Sequence, residues 1–357
     1  MSPDLSDLLR EAKADAPPPR YDVDDAVAAG RRLQRRRRAG VAIAAVVAVA
    51  AAIGVPQIVT RGDGDHRPVP VAPTPAPVPS GAPYQFGYTS RGYVAGGFRI
   101  AAPTTVNLFG YLAGVYPRNG GEQAAGLKVY RPGVDPKTAF PGAEVVATEP
   151  VRGRPAYFLK QTGDSAQDIL VWEYADGARA QLWSISPQAM PRARMHAVAE
   201  GFVPAVFRSA TTPLRVSHVP AGYRLVGVSA SPSDAGKGQA SLALVPEKVA
   251  ATQLAQAGPL PFPDEIEQGR DGIGIAVVRL RSDDDPGAGK VFCMDNEPMC
   301  RMRAPGGKYL LRVTGRLEST AELRRILASV RVADLAKPGT WGAATGAVPR
   351  AVQLSAR

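Results

Sequence analysis

The chain has 357 residues, room for two globular domains or three at roughly 100–200 residues each. It carries 43 Lys and Arg against 32 Asp and Glu, a net +11, and its 34 Pro and 37 Gly are more turn formers than a helical bundle accommodates. Two Cys and three His exclude a zinc-finger array, an iron–sulfur protein and a disulfide-dense mini-scaffold.

Residues 1–30 hold three cations against seven carboxylates, a net of −4. Leu5, Leu8 and Leu9 fall at i, i+3 and i+4, the spacing of one apolar helix face, and Pro17-Pro18-Pro19 ends that helix. A second short helix is expected from Asp24 to Arg38. An amphipathic turn and a half builds no core, so residues 1–38 read as a mostly disordered tail. Its leucines suit docking on a cytoplasmic partner; the plainer alternative is a solvated tail that only sets topology.

Six arginines in residues 31–38, ending in Arg35, Arg36, Arg37 and Arg38, precede 17 residues without a charge, Ala39 to Val55. At 1.5 Å per residue that run covers about 25 Å, and continuing to Thr60 gives about 33 Å, enough to span a bilayer. The expectation is a transmembrane helix over residues 39–60. A buried Ala-rich helix would set the arginines against a core. A cleaved signal peptide has Ala50-Ala51-Ala52 as a candidate cleavage box, but its leading segment would be shorter than the 38 residues here. The arginine flank sets the N-terminus in the cytoplasm and all that follows the span outside. At the inner leaflet each of Arg35 to Arg38 gains about 1 kcal/mol, so the basic run needs no nucleic acid to explain it.

Residues 61–83 form a Pro-rich linker, extended as polyproline II. From Tyr84 to Leu335 the pattern is α+β. Strand candidates are Gly126 to Tyr130, Ala156 to Leu159, Ile169 to Tyr174 and Ala178 to Ile185, then Tyr223 to Val228, Ala240 to Val245, Ile273 to Leu280, Val291 to Met294, Cys300 to Arg303 and Tyr309 to Thr314. Each half closes on a helix, with apolar faces Met195, Val198, Ala199, Phe202 and Leu323, Ile326, Leu327, Val330. Ser319 to Glu322 forms a capping box before the second. These features recur at offsets of 128–130, which predicts two tandem antiparallel-sheet-plus-helix repeats, residues 84–210 and 211–335. Residues 336–357 lack periodicity and are expected to be a disordered tail.

Cys293 and Cys300 bracket a turn-rich stretch on the outer side, where disulfides persist, and are expected to bridge. A metal site would need His196 or His218 to converge from afar. No nucleophile elbow, no zinc-protease helix motif and no phosphate loop is present; Gly287-Ala288-Gly289-Lys290 reads as a hairpin turn. Neither a catalytic set, a cofactor site nor a metal site is therefore expected. The aromatics Tyr84, Phe86, Tyr88, Tyr93 and Phe98 read as core, the alternative being a groove for an apolar ligand or glycan. Outside the membrane the net charge is +8, which draws the domain weakly toward anionic lipids or envelope polymers.

Nine Lys stand against 34 Arg, which with the abundant Ala suggests a high-GC coding sequence. The opening Leu5-Ser6-Asp7-Leu8-Leu9-Arg10-Glu11-Ala12, then Tyr21-Asp22-Val23-Asp24 and the arginine run into an Ala/Val span, resembles actinobacterial single-pass proteins encoded beside extracytoplasmic-function sigma factors, some of them anti-sigma factors. The resemblance implies a sigma factor as cytoplasmic partner. The zinc-binding His-x-x-x-Cys-x-x-Cys motif of many such proteins is absent from residues 1–38, which excludes a zinc anti-sigma domain. Val219-Pro220-Ala221-Gly222-Tyr223 before the second set of strands looks like bacterial extracytoplasmic sensor domains related to lipoprotein carriers. The expected function is a non-enzymatic, membrane-anchored sensing or binding protein. The rivals are a wall-associated structural protein and an enzyme with an unrecognised site.

Overall fold

The computed structural model describes residues 82–355, apart from 141, 161–167, 187, 232–237, 257–271, 282–285, 288, 295–297 and 317. The expected tail (1–38), span (39–60) and nearly all of the linker lie outside the described residues. Among the described residues, no helix is long and apolar enough to cross a membrane.

The first half contains β1 (Gly87–Tyr88), β2 (Tyr93–Ala95), β3 (Phe98–Ile100), β4 (Thr105–Asn107), β5 (Gly110–Pro117), β6 (Ala125–Tyr130), β7 (Glu144–Ala147), β8 (Ala156–Lys160), β9 (Asp168–Ala175), β10 (Ala178–Ser184) and helix α1 (Arg192–Glu200). Short strands β11 (Arg208–Ser209), β12 (Thr211–Thr212) and β13 (Leu214–Val216) lead into the second half. There follow β14 (Tyr223–Ser231), β15 (Gln239–Pro246), α2 (Glu247–Gln256), β16 (Ile273–Arg279), β17 (Val291–Cys293), β18 (Met299–Arg303), β19 (Tyr309–Gly315), α3 (Thr320–Ser329), β20 (Val330–Val332) and β21 (Gly342–Ala343).

Fifteen strands make one antiparallel sheet in the order β17-β18-β19-β16-β15-β14-β4-β5-β6-β10-β9-β8-β7, with the β2–β3 hairpin attached to β5. Directly opposed residues share a face, and one row of such neighbours crosses twelve strands: Cys293, Cys300, Val313, Ile275, Leu242, Val228, Val106, Tyr111, Val129, Ala180, Trp172 and Ala156. All but the two end residues are buried, so this face is the core. Helix α1 packs on it through Met195, Val198 and Ala199, and α3 through Leu323, Ile326 and Leu327. Asp176-Gly177 turns the β9–β10 hairpin, with Gly177 at φ 66, the left-handed region that a tight hairpin needs.

The opposite face holds its own small apolar cluster over β8 to β10. Leu159, Ile169 and Val171 are buried there under Phe140, Ala143, Tyr157 and Trp183. The Trp183 ring occupies the space where a side chain on Gly126 would sit, so that glycine is required by close approach. Further along this face the row turns mostly polar, through Lys128, Leu112, Thr105, Ser229, Ser241, Ala276, Arg312 and Arg301.

All ten strand candidates from Gly126 onward are found within one to three residues at their ends. Beyond Ser319, whose hydroxyl accepts from the Glu322 N–H, the capping box departs from expectation: the Glu322 carboxylate turns to His218 and Arg325 instead. The expectation of a disordered tail over 336–357 is corrected. Through Ser355 this segment is placed against the domain: β21 pairs with β12, Pro83 bridges Ser355, and Ala344, Ala347, Val348 and Val352 are buried. It folds as 3-10 turns, which show no 3.6-residue or two-residue period.

Candidate functional site

Two antiparallel runs, 84–95 and 201–210, form a ribbon at the core face of the first half. Ala205 N–H donates to the Thr89 carbonyl at 2.5 Å, β1 pairs with β11, and Ala210 N–H donates to the Phe86 carbonyl at 2.9 Å. The ribbon brings Tyr84, Tyr88, Thr89, Ser90 and Tyr93 over Tyr111 of β5, Trp172 and Tyr174 of β9, and Phe202. The Phe202 ring is the hub, with centroids 5.3 Å from Tyr174, 6.0 Å from Trp172 and 6.3 Å from Tyr93, all edge to face.

Four phenols in this cluster have a hydrogen-bond partner. Tyr84 Oη donates to the Leu108 carbonyl at 3.0 Å, Tyr93 Oη to the Val198 carbonyl at 3.1 Å and Tyr174 Oη to the Tyr130 carbonyl at 2.7 Å. Tyr111 Oη lies 3.4 Å from Thr89 Oγ1. Burial pushes the Tyr111 phenol up to about 12, tempered by hydrogen bonds from Ser90 and Thr89. It raises Tyr93 and Tyr174 further, with the neighbouring Tyr111 adding to both. All are neutral at any physiological pH.

Arg131 differs. Its N–H donates to the Phe109 carbonyl at 2.8 Å, which extends the β6 alternation by one step and turns its side chain to the core face after Leu127 and Val129. The guanidinium lies 4.2 Å from the Tyr84 ring centroid. Among the described residues, no carboxylate pairs with it. Burial lowers its pKa to about 10, offset in part by Tyr174. A desolvated guanidinium with an aromatic wall and five donors can hold an anion; nothing in the cluster pairs a nucleophile with a base.

The structure brings Cys293 and Cys300 together as a disulfide between directly opposed residues of β17 and β18, Cα–Cα 4.0 Å. His196 Nε2 contacts Thr148 Oγ1 at 2.9 Å and His218 Nε2 contacts Glu322 Oε1 at 2.6 Å, each engaged locally. Leu5, Leu8, Leu9 and Arg35 to Arg38 lie outside the described residues. Tyr84, Phe86 and Phe98 are buried as core, as expected, while Tyr88 and Tyr93 are half-buried and face the cluster. Sequence reasoning missed Arg131, Tyr111 and Tyr174. The available signal was phase: Leu127, Val129 and Arg131 alternate, as do Leu170, Trp172 and Tyr174, so both polar residues follow the buried face.

Fold and cluster together define a strand-rich α+β domain with a large antiparallel sheet and a half-buried arginine beside tyrosines. No family model matches the chain, and no curated protein matches it. Among solved structures, MucB in complex with MucA(peri) is 13% identical, with 70% of this chain and 93% of that chain covered, at a TM-score of 0.21. A likeness at that score carries no argument about this chain.

Proposed function

We propose that this chain is a single-pass membrane protein, N-terminus in the cytoplasm, whose extracytoplasmic domain binds a ligand and so acts as a sensor. Its cytoplasmic tail, residues 1–38, would touch a regulator such as a sigma factor through Leu5, Leu8 and Leu9. The observation that carries the binding reading is Arg131, a cation on the core face of the sheet without a carboxylate partner among the described residues. The Cys293–Cys300 disulfide supports an oxidising compartment for the domain, and the arginine-flanked apolar run supports the anchor. The shared order of strands in the halves, β5-β6-β10-β9 and β15-β16-β19-β18, each followed by a helix, supports duplication of one ancestral unit.

Co-purification tests the signalling half. Full-length chain isolated from its native membrane carries a sigma factor with it, and the triple change Leu5→Ala, Leu8→Ala, Leu9→Ala removes that partner. If the wild-type chain brings down no transcriptional regulator, the tail is a topology signal and the domain a wall-associated or structural module.

A further inference from the structure

Eight large hydrophobic side chains are exposed among the described residues, and four of them sit on the ribbon: Val206 at 72%, Val94 at 55%, Val203 at 50% and Phe207 at 39%. All four lie on one pair of antiparallel runs. Residue 201 approaches Ala95 and Tyr93, next to Val94, and the Phe207 ring lies against Gly87 at the other end. The backbone between is fixed by the Ala205–Thr89 bond and the β1–β11 pair, so the apolar groups project from a rigid ribbon rather than a loose loop.

The two runs themselves carry charge of one sign. Residues 84–118 contain Arg91, Arg99 and Arg118 and no Asp or Glu, and residues 201–218 contain Arg208 and Arg215 and no Asp or Glu. Arg91, Arg99, Arg118 and Arg208 are exposed, as is Arg194 of α1, which also donates to the Gly96 carbonyl at the tip of the β2–β3 hairpin. The nearest carboxylates in sequence are Glu122, on the turn after β5, and Glu200, which accepts from the Arg152 N–H at 2.9 Å. Exposed apolar side chains with Arg99 opposite Val94 and Arg208 beside Phe207, on runs without acids of their own, fit an anionic bilayer surface, where valine and phenylalanine enter the headgroup–acyl boundary and arginines meet phosphates.

We infer that this ribbon docks the domain on an anionic lipid bilayer. The inference rests on the anchored reading only for proximity: 23 residues, 61–83, separate the expected span from the ribbon's first residue, Tyr84. Docking there sets the Arg131 cluster, directly beneath the ribbon, at the membrane surface.

The test uses the full chain in nanodiscs. No free thiol is present among the described residues, so Val206→Cys introduces a single reactive thiol for an environment-sensitive fluorophore, with Val145→Cys on β7 as the control. In phosphatidylglycerol nanodiscs the probe at 206 shifts to the blue and is shielded from an aqueous quencher. The probe at 145 stays in water. The shift weakens in phosphatidylcholine nanodiscs, on raising salt from about 0.05 to 0.5 M, and in the R99E/R208E variant, whose changes are on exposed side chains. Retention of the chain on the nanodiscs through a high-salt wash, with no shift at 206 on phosphatidylglycerol at low salt, overturns docking and leaves the anchor intact. A shift at 206 on phosphatidylglycerol with loss of the chain in high salt supports docking and refutes the anchor. Equal shifts at 206 and 145, or a response to soluble polyphosphate but not to the bilayer, overturn the proposal.

Discussion

Val228 of β14 stands directly opposite Val106 of β4, and this pair joins the two halves of the sheet into one. Val106 in turn faces Tyr111 and Val228 faces Leu242, so the core row passes from one half to the other without a break. A shared sheet with a shared core unfolds as a unit. Leu242→Ala, at a fully buried site in the second half, should cost about 2–5 kcal/mol and lower the stability of both halves together. In a Trp341→Phe background, urea unfolding followed by far-UV circular dichroism and by fluorescence of Trp172 and Trp183 in the first half should give coincident transitions. Separated transitions would show that the halves fold independently.

The disulfide closes a short loop, seven residues in separation, on an edge strand. In the chain-entropy account a loop of this size contributes about 2–3 kcal/mol. The double variant Cys293→Ser, Cys300→Ser should lose stability in that range, measured by denaturant midpoint with unchanged slope. Native mass spectrometry should find the wild-type domain two hydrogens lighter than its reduced form; two titratable thiols would refute the bridge.

Arg131 bears on function through stability. Its folded pKa, about 10, lies below the ordinary 12.5, so the unfolded chain holds the proton more tightly. Stability therefore rises with pH between those values, and at neutral pH the charged form is disfavoured in the folded chain. Arg131→Met keeps an aliphatic stem and removes the partly desolvated charge, and with it the guanidinium's contact on the Tyr84 ring. It should leave the melting temperature at pH 7 unchanged or higher. A loss above about 2 kcal/mol would mean that the residue serves packing rather than a ligand.

Arg192 grips Asp168 with two bonds, Nε to Oδ2 at 2.8 Å and Nη2 to Oδ1 at 2.6 Å, tying the first residue of α1 to the start of β9. That grip holds the Asp168 carboxyl below its ordinary value. The contribution is complete above the unfolded value of 3.8 and is lost as pH falls through the lower folded value. Both side chains are more than a third exposed, so the pair is a surface pair worth about 0.2–1 kcal/mol. Asp168→Asn should flatten the acid limb of the stability profile, read as denaturant midpoints across about pH 2–6. An unchanged limb would assign acid sensitivity to other carboxylates.

The sequence was most legible where the two-residue period is clean. Tyr223 to Val228, Ile273 to Leu280 and Tyr309 to Thr314 alternate or run apolar, and all became strands. Between Tyr93 and Pro117 the pattern is broken by six glycines and prolines, and four strands there escaped it. The segment 336–355 escaped for a different reason: its buried residues are mostly alanine and valine in 3-10 turns, so burial leaves no periodic trace. The disulfide followed from the count of two cysteines and their spacing. The cluster did not, because the partners Tyr84, Tyr111, Arg131 and Tyr174 come from four separate stretches that only the sheet register brings together.

Topology in the intact cell tests the account most directly. Spheroplasts carrying the full chain, with one epitope before Ser2 and another after Arg357, are treated with protease without lysis. The account predicts that the C-terminal epitope is lost while the N-terminal epitope survives, on a fragment long enough to hold the span at 39–60. Protection of the C-terminal epitope until the membrane is permeabilised would contradict it, and with it the proposal that the domain reads the cell exterior.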